Sequence, residues 1–300
     1  MGRKIIIVGS GGRLGAALVR EWRAQGDSVL GLNRALLDLS NPTQVREQLE
    51  SLDFEVLVNC AALTNVDRCE QEIEEAFRVN SAAVATLADL CTRKKARCVH
   101  ISTDYVFDGE KRSPYTEEDE PRPISQYGAS KLSGERCLHA VADRHLVVRV
   151  SWVFGPDRAS FVDQILDRAL RHERVEAIAD KISVPTYTND AAVLLRPVLE
   201  NSSIDDVVHL ANAGACSWQE YGQHALDCAA AAGVSLRTEK VEPITLADMQ
   251  SFVARRPVYT ALDTAKLARL TGLTPRPWEE AVDEYVRTYW VPRVTGDRRA

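Results

Sequence analysis

The chain of 300 residues is 45% hydrophobic and 27% charged, the balance of a folded globular protein, with a net charge of −6. That charge, with no Lys/Arg run longer than Arg93-Lys94-Lys95, excludes a nucleic-acid-binding surface, so no nucleic-acid partner is expected. Seven scattered cysteines without a C-x-x-C pair, and histidines without ligand spacing, exclude a disulfide framework and a zinc site, so no metal is expected.

Residues 4–8 (KIIIV) predict a buried strand, β-branched, continuous and closed by glycine. The run is too short for a signal peptide and nothing later approaches a membrane span, so a cytoplasmic location and no membrane partner are expected. The strand enters Gly9-Ser10-Gly11-Gly12-Arg13-Leu14-Gly15, and Leu14, Ala17, Leu18 and Trp22 then keep helical spacing. A glycine turn between strand and helix suits a dinucleotide. Gly9 permits the tight turn, Gly12 lets the backbone approach a pyrophosphate, and Gly15 lets the helix pack on the strand. The helix N-terminus then offers free N–H groups to the phosphates.

Residues 28–32 predict a second strand ending at Asn33-Arg34. An NAD-preferring site would place a carboxylate there to hold the adenosine ribose. Its absence, with an arginine following, points to NADPH, with NADH possible. Residues 38–42 form a turn opening the next helix, with Ser40 or Asn41 as N-cap. Residues 55–59 predict a third strand, followed by Cys60-Ala61-Ala62-Leu63-Thr64. Small residues there let a flat cofactor lie against the backbone; a plain strand-to-helix turn fits equally. One helix is then expected to carry Ala76, Phe77, Asn80, Val84, Leu87 and Cys91. Asn80 on that apolar face is either a contact to cofactor or water or a satisfied structural amide.

Residues 97–101 predict a fourth strand that delivers Ser102-Thr103-Asp104-Tyr105 to the carboxyl edge of the sheet, where ligands sit in open α/β folds. After a charged, proline-containing loop, a helix carries Tyr127-Gly128-Ala129-Ser130-Lys131. Tyr127 and Lys131 are one turn apart on one face. A Lys ammonium there favours the phenolate; moving a phenol from about 10 to roughly 7 takes about 4 kcal/mol, and such a tyrosine can transfer a proton near neutrality. A fifth strand over 145–150 leads to Ser151-Trp152-Val153-Phe154-Gly155. The Trp152 indole lies either against a sugar or base or in an ordinary core. Beyond Pro156 the alternation loosens, although an isolated strand near 207–210 is expected to return to the first sheet.

Together these motifs resemble an extended short-chain dehydrogenase/reductase. STDYVFDG (102–109), YGASKLSGE (127–135), RVSWVFG (149–155), VPTYTND (184–190), HLANAG (209–214) and RRPVYTALDTAKL (255–267) are similar to the dTDP-4-dehydrorhamnose reductase family, over nearly the whole chain. The resemblance implies an α/β Rossmann-like doubly wound parallel sheet with a smaller, discontinuous C-terminal α+β domain. The expected cofactor domain is 1–155, rejoined by about 184–214, and the expected substrate domain is 156–183 and 215–292. It implies NAD(P)H-dependent reduction of the C4 ketone of a nucleotide-activated deoxysugar by a monomer or homodimer. Thr103 would bond the substrate carbonyl with Asp104 beside it, Tyr127 would donate the proton, and Lys131 would hold the nicotinamide ribose. Gly9, Gly12, Arg13, Leu14, Asn33, Arg34, Asp38, Leu39, Ala62, Leu63 and Thr64 would line the cofactor, and Trp152 would border the sugar. Some members share magnesium through an acidic residue after the third glycine; Ala16 and Ala17 stand there, so the metal is not carried over. A sugar-nucleotide epimerase or dehydratase, and a non-catalytic subunit on the same fold, are the alternatives.

Overall fold

The computed structural model describes residues 2–142, 144–201, 204 and 206–296. The strands are β1 (Lys4–Val8), β2 (Ser28–Leu32), β3 (Val56–Asn59), β4 (Arg97–Thr103), β5 (His145–Val150), β6 (Val153–Phe154), β7 (Val175–Ile178), β8 (Ile182–Ser183), β9 (Thr186–Tyr187), β10 (Val207–His209), β11 (Cys216–Ser217) and β12 (Val241–Ile244). The longer helices are α1 (Arg13–Ala24), α2 (Pro42–Glu50), α3 (Val66–Gln71), α4 (Ile73–Phe77), α5 (Ala83–Lys94), α6 (Gln126–Val141), α7 (Phe161–Ala169), α8 (Thr188–Glu200), α9 (Trp218–Ala231), α10 (Ala265–Thr271) and α11 (Trp278–Tyr285).

Six strands form one sheet in the order β10-β5-β4-β3-β1-β2, every neighbouring pair parallel. A parallel sheet is covered on both faces, which is why its strands read as continuous apolar runs. Ile5, Ile7, Val58 and Val148 pack beneath α1 and α8, while Ile6, Val8, Leu57 and Val147 pack beneath α2 and α5. Burying each such side chain stabilises the fold by about 1.5–3 kcal/mol. The Trp22 indole N–H donates to the Ala192 carbonyl at 3.0 Å and ties α1 to α8. The returning strand expected near 207–210 is β10, paired with β5. From β1 the chain crosses to β2 on one side and later to β3 on the other, which opens a crevice at their carboxyl ends.

A second apolar cluster is built from α7, α9, α11 and the β7–β12 pair, with Tyr221, Trp278, Tyr285 and Trp290 buried in it. Two further short pairs are β6–β9, parallel, and β8–β11, antiparallel.

The single helix expected around Asn80 is interrupted. Between α4 and α5, Arg78–Ala82 forms a wider π-type turn. Asn80 Nδ2 donates to the Leu63 carbonyl at 3.1 Å and to Ser130 Oγ at 3.0 Å, and Oδ1 accepts the Leu63 N–H at 2.8 Å. The extra residue aims one fully satisfied amide at both α6 and the turn after β3. Asn41 is the N-cap of α2, accepting from Gln44 N at 3.1 Å. Among the described residues no helix is long and apolar enough to cross a membrane.

Candidate active site

The glycine turn is bent as its sequence requires. Gly9 has φ +80°, and a Cβ there would stand 2.6 Å from Ala61 N. At Gly15 a Cβ would strike the Gly9 carbonyl. Gly12 precedes α1 without a side-chain cap, so the first helical N–H groups remain available to an anion.

This turn forms one wall of a cavity of about 730 Å³. All thirteen expected cofactor residues line it: Gly9, Gly12, Arg13 and Leu14; Asn33 and Arg34; Asp38 and Leu39; Ala62, Leu63 and Thr64; Tyr127 and Lys131. Sequence reasoning passed over Arg68, Val79 and Arg158, which also line it. Arg158 was findable as a cation in the loop that follows the fifth strand. Arg13 reaches from the turn to that loop, donating through Nε to the Ala159 carbonyl at 3.0 Å.

Tyr127 and Thr103 meet where α6 crosses the end of β4. Gly128 makes the crossing possible, since a Cβ there would collide with the Tyr105 carbonyl. Ser125 caps α6, accepting from Gly128 N at 3.2 Å. The Tyr127 ring is 9% exposed and packs edge-on against Tyr105 at 5.5 Å.

The expected lowering of the Tyr127 pKa is not found. Burial pushes it up, opposed by a hydrogen bond with Thr103, and the Asp104 charge adds to the rise. Burial is the physical reason, and Lys131 does not offset it: its Nζ donates to the Ile101 carbonyl at 2.6 Å and stands 2.9 Å from His100 Nε2. As it stands Tyr127 is a neutral phenol, the form a proton donor needs.

Asp104 is 2% exposed and its oxygens are committed. Oδ1 accepts from Thr103 Oγ1 at 3.1 Å, and Oδ2 accepts from Ser183 Oγ at 3.0 Å and Thr260 Oγ1 at 2.5 Å. Its carboxylate therefore orients Thr103 from behind. Burial raises its pKa, and the buried Lys181 ammonium opposes the rise.

Trp152 sits in the left-handed region at φ +40°, unusual for a side chain of this size. It lies 5.6 Å from Trp218 and stacks on Tyr221 at 6.2 Å, yet its buried indole N–H has no partner among the described residues. Strain and an orphaned donor in one residue mark a position held for more than packing.

A parallel sheet with a phosphate-ready turn, and a Thr–Tyr–Lys set at its carboxyl edge, is the geometry of an extended short-chain dehydrogenase/reductase. More particularly, the chain belongs to the RmlD substrate binding domain family, whose model matches residues 3–291. It is 34% identical over 292 residues to the dTDP-4-dehydrorhamnose reductase of Aggregatibacter actinomycetemcomitans, covering 95% of this chain and 99% of the relative. It is 32% identical to the spore coat polysaccharide biosynthesis protein SpsK of Bacillus subtilis, covering 95% and 97%. The Bacillus anthracis dTDP-4-dehydrorhamnose reductase, solved in complex with NADP, superposes with a TM-score of 0.88 at 30% identity, covering 95% and 99%.

Proposed function

We propose that the protein is an NADPH-dependent reductase of the C4 ketone of dTDP-4-dehydro-L-rhamnose, yielding dTDP-L-rhamnose. The observation that carries this reading is that Tyr127, hydrogen-bonded to Thr103, and Lys131 line one cavity with the uncapped start of α1. The fit of a nicotinamide nucleotide rests on that wall: free helix N–H groups suit a pyrophosphate, and the Gly9–Ala61 contact leaves no side chain in the way.

When bound, the nucleotide supplies the hydride. The chain supplies the rest. Tyr127 gives its phenolic proton to the alkoxide oxygen at C4. Thr103 shares with Tyr127 the polarisation of that oxygen by turning its single hydroxyl proton from Asp104 Oδ1 to the substrate. Lys131 holds the ribose, and Trp152 presents apolar area to the sugar. Residues 1–155 and about 184–214 serve the nucleotide, and 156–183 with 215–292 the sugar; the separate apolar cluster of α7, α9 and α11 supports that division. Seven free cysteines suit a reducing compartment, and we place the enzyme in the cytoplasm, as a monomer or homodimer. The dehydratase alternative loses ground because the Asp104 carboxylate is already engaged by Thr103, Ser183 and Thr260.

The test is to mix purified protein with NADPH and dTDP-4-dehydro-6-deoxy-L-mannose and identify the sugar formed. Cofactor oxidation with appearance of dTDP-L-rhamnose is expected. Sugar turnover without net oxidation would favour an epimerase, and no turnover a non-catalytic subunit.

A further inference from the structure

Lys131 has a neighbour that the proposed reduction does not use. His100 on β4 is fully buried, with Nε2 2.9 Å from Lys131 Nζ and Nδ1 3.1 Å from Asn59 Nδ2. The Asn59 carboxamide cannot turn round freely, because its Oδ1 accepts the Ala61 N–H at 3.0 Å. Its nitrogen is therefore what His100 meets, and a carboxamide nitrogen only donates. Nδ1 must then carry the lone pair, and the proton of the neutral ring sits on Nε2. An ammonium has no lone pair to offer Nε2–H, so the contact closes only with Lys131 as an amine.

The charges around the pair agree. Glu135 on α6 is the carboxylate that favours the Lys131 charge, but Arg149 takes it at 3.1 and 2.7 Å and the Ser102 hydroxyl also donates to it. Cys60, after β3, is a thiol that burial pushes up to about 12. Tyr127, one turn before, is a neutral phenol. Burial brings Lys131 down to about 8 against the pull of Glu135 and Cys60, so the amine predominates only above that pH; burial, then the Lys131 charge when present, holds His100 well below its usual range.

We propose that His100 is a positioning residue for Lys131, seating and favouring its amine form against β4 through Nε2–H, with Asn59 and Ala61 fixing the tautomer. The inference rests on the reading of Lys131 as the ribose-binding residue. Its consequence is a linkage. When Lys131 takes up a proton, either it leaves His100, or His100 changes tautomer and Asn59 must turn away from Ala61 N. The turn that would move carries Ala62, Leu63 and Thr64 in the cavity wall.

Two measurements on substrate-free protein test this. Nitrogen NMR of labelled histidine in the wild type should find His100 with a bare Nδ1 and a protonated Nε2. Carbon NMR of labelled lysine should find Lys131 titrating near 8. In His100→Gln, whose carboxamide oxygen can face an ammonium, that midpoint should rise by about one unit or more. An Nδ1-protonated His100, or an unmoved midpoint in a folded variant, overturns the proposal; should the variant not fold, the wild-type tautomer decides. Neither measurement involves sugar turnover, so failure to reduce the 4-keto sugar would sink the functional reading and leave this one standing.

Discussion

The Thr260 hydroxyl donates to Asp104 Oδ2 at 2.5 Å, joining positions 156 residues apart. Ser183 donates to the same oxygen, so two residues outside the first 150 hold a carboxylate delivered by β4. Through Asp104 they set the direction of the Thr103 hydroxyl. Thr260→Val keeps the shape and deletes one donor to a buried charge, a loss of about 1.5–3 kcal/mol. The expected result is a lower Tm with a several-fold fall in kcat, because Thr103 is no longer steadied. If both Tm and kcat match the wild type, Asp104 does not depend on this contact.

Tyr127→Phe removes only the hydroxyl, and the ring keeps its contact with Tyr105. General acid–base groups contribute roughly 10²–10⁴-fold, so kcat should drop by that factor while NADPH affinity holds. Binding by fluorescence titration and turnover by cofactor oxidation separate the two. Retention of more than about a tenth of kcat would remove Tyr127 from the proton-donor role.

His209 on β10 is buried as a neutral ring. Its Nδ1–H faces the Tyr115 carbonyl at 3.1 Å, and Nε2 faces the Arg149 guanidinium at 3.5 Å. Burial, then the Arg149 charge, brings its pKa down to about 3. The unfolded chain binds this proton near 6.5, so stability is fully present above that value and is lost as pH falls towards about 3. Within that window the loss approaches about 1.4 kcal/mol per pH unit. Denaturant unfolding of wild type and His209→Gln at a series of pH values reads it out. The variant should show a flatter slope below about pH 6.5; equal slopes would mean that His209 is not the acid-sensitive group.

The sheet and the glycine turn were legible because a parallel strand buried on both faces is locally apolar and its turn has a local glycine spacing. Most of the thirteen cavity residues came with the family resemblance; position past a strand end does not reach Asp38 and Leu39, well beyond β2, or Tyr127 and Lys131 on α6. What local pattern could not supply was direction. Nothing within a few residues of Lys131 says that its Nζ turns to His100 and Ile101, and helical spacing does not show that burial will push the Tyr127 phenol up. Likewise Asp104 reads as a site carboxylate until Ser183 and Thr260, far along the chain, are brought against it. The π-type turn at Asn80 exists to serve Leu63 and Ser130, contacts that helical spacing does not encode.

Cofactor choice is decided at the end of β2. Asn33 Oδ1 is used by its own turn, accepting Ala35 N at 3.0 Å and Leu36 N at 3.1 Å, so its side chain turns no negative group to the cavity. Arg34 is exposed at the cavity wall and forms no hydrogen bond or ion pair among the described residues. The nearest opposing charge is Asp38, whose pKa is lowered first by the Ser40 N–H and in part by Arg34 itself. A free guanidinium fork beside an uncharged amide suits the 2′-phosphate that distinguishes NADPH from NADH. A charge-assisted contact contributes about 1.5–3 kcal/mol, and exposure pulls it to the lower end, roughly tenfold in affinity. Wild type should therefore use NADPH with the higher kcat/KM, and Arg34→Ala should bring the two cofactors about tenfold closer. Raising ionic strength should narrow the preference in wild type and barely move it in the variant, since the contact is screened. A wild type that prefers NADH, or a ratio that Arg34→Ala leaves in place, would show that Arg34 points to solvent and the phosphate is held elsewhere.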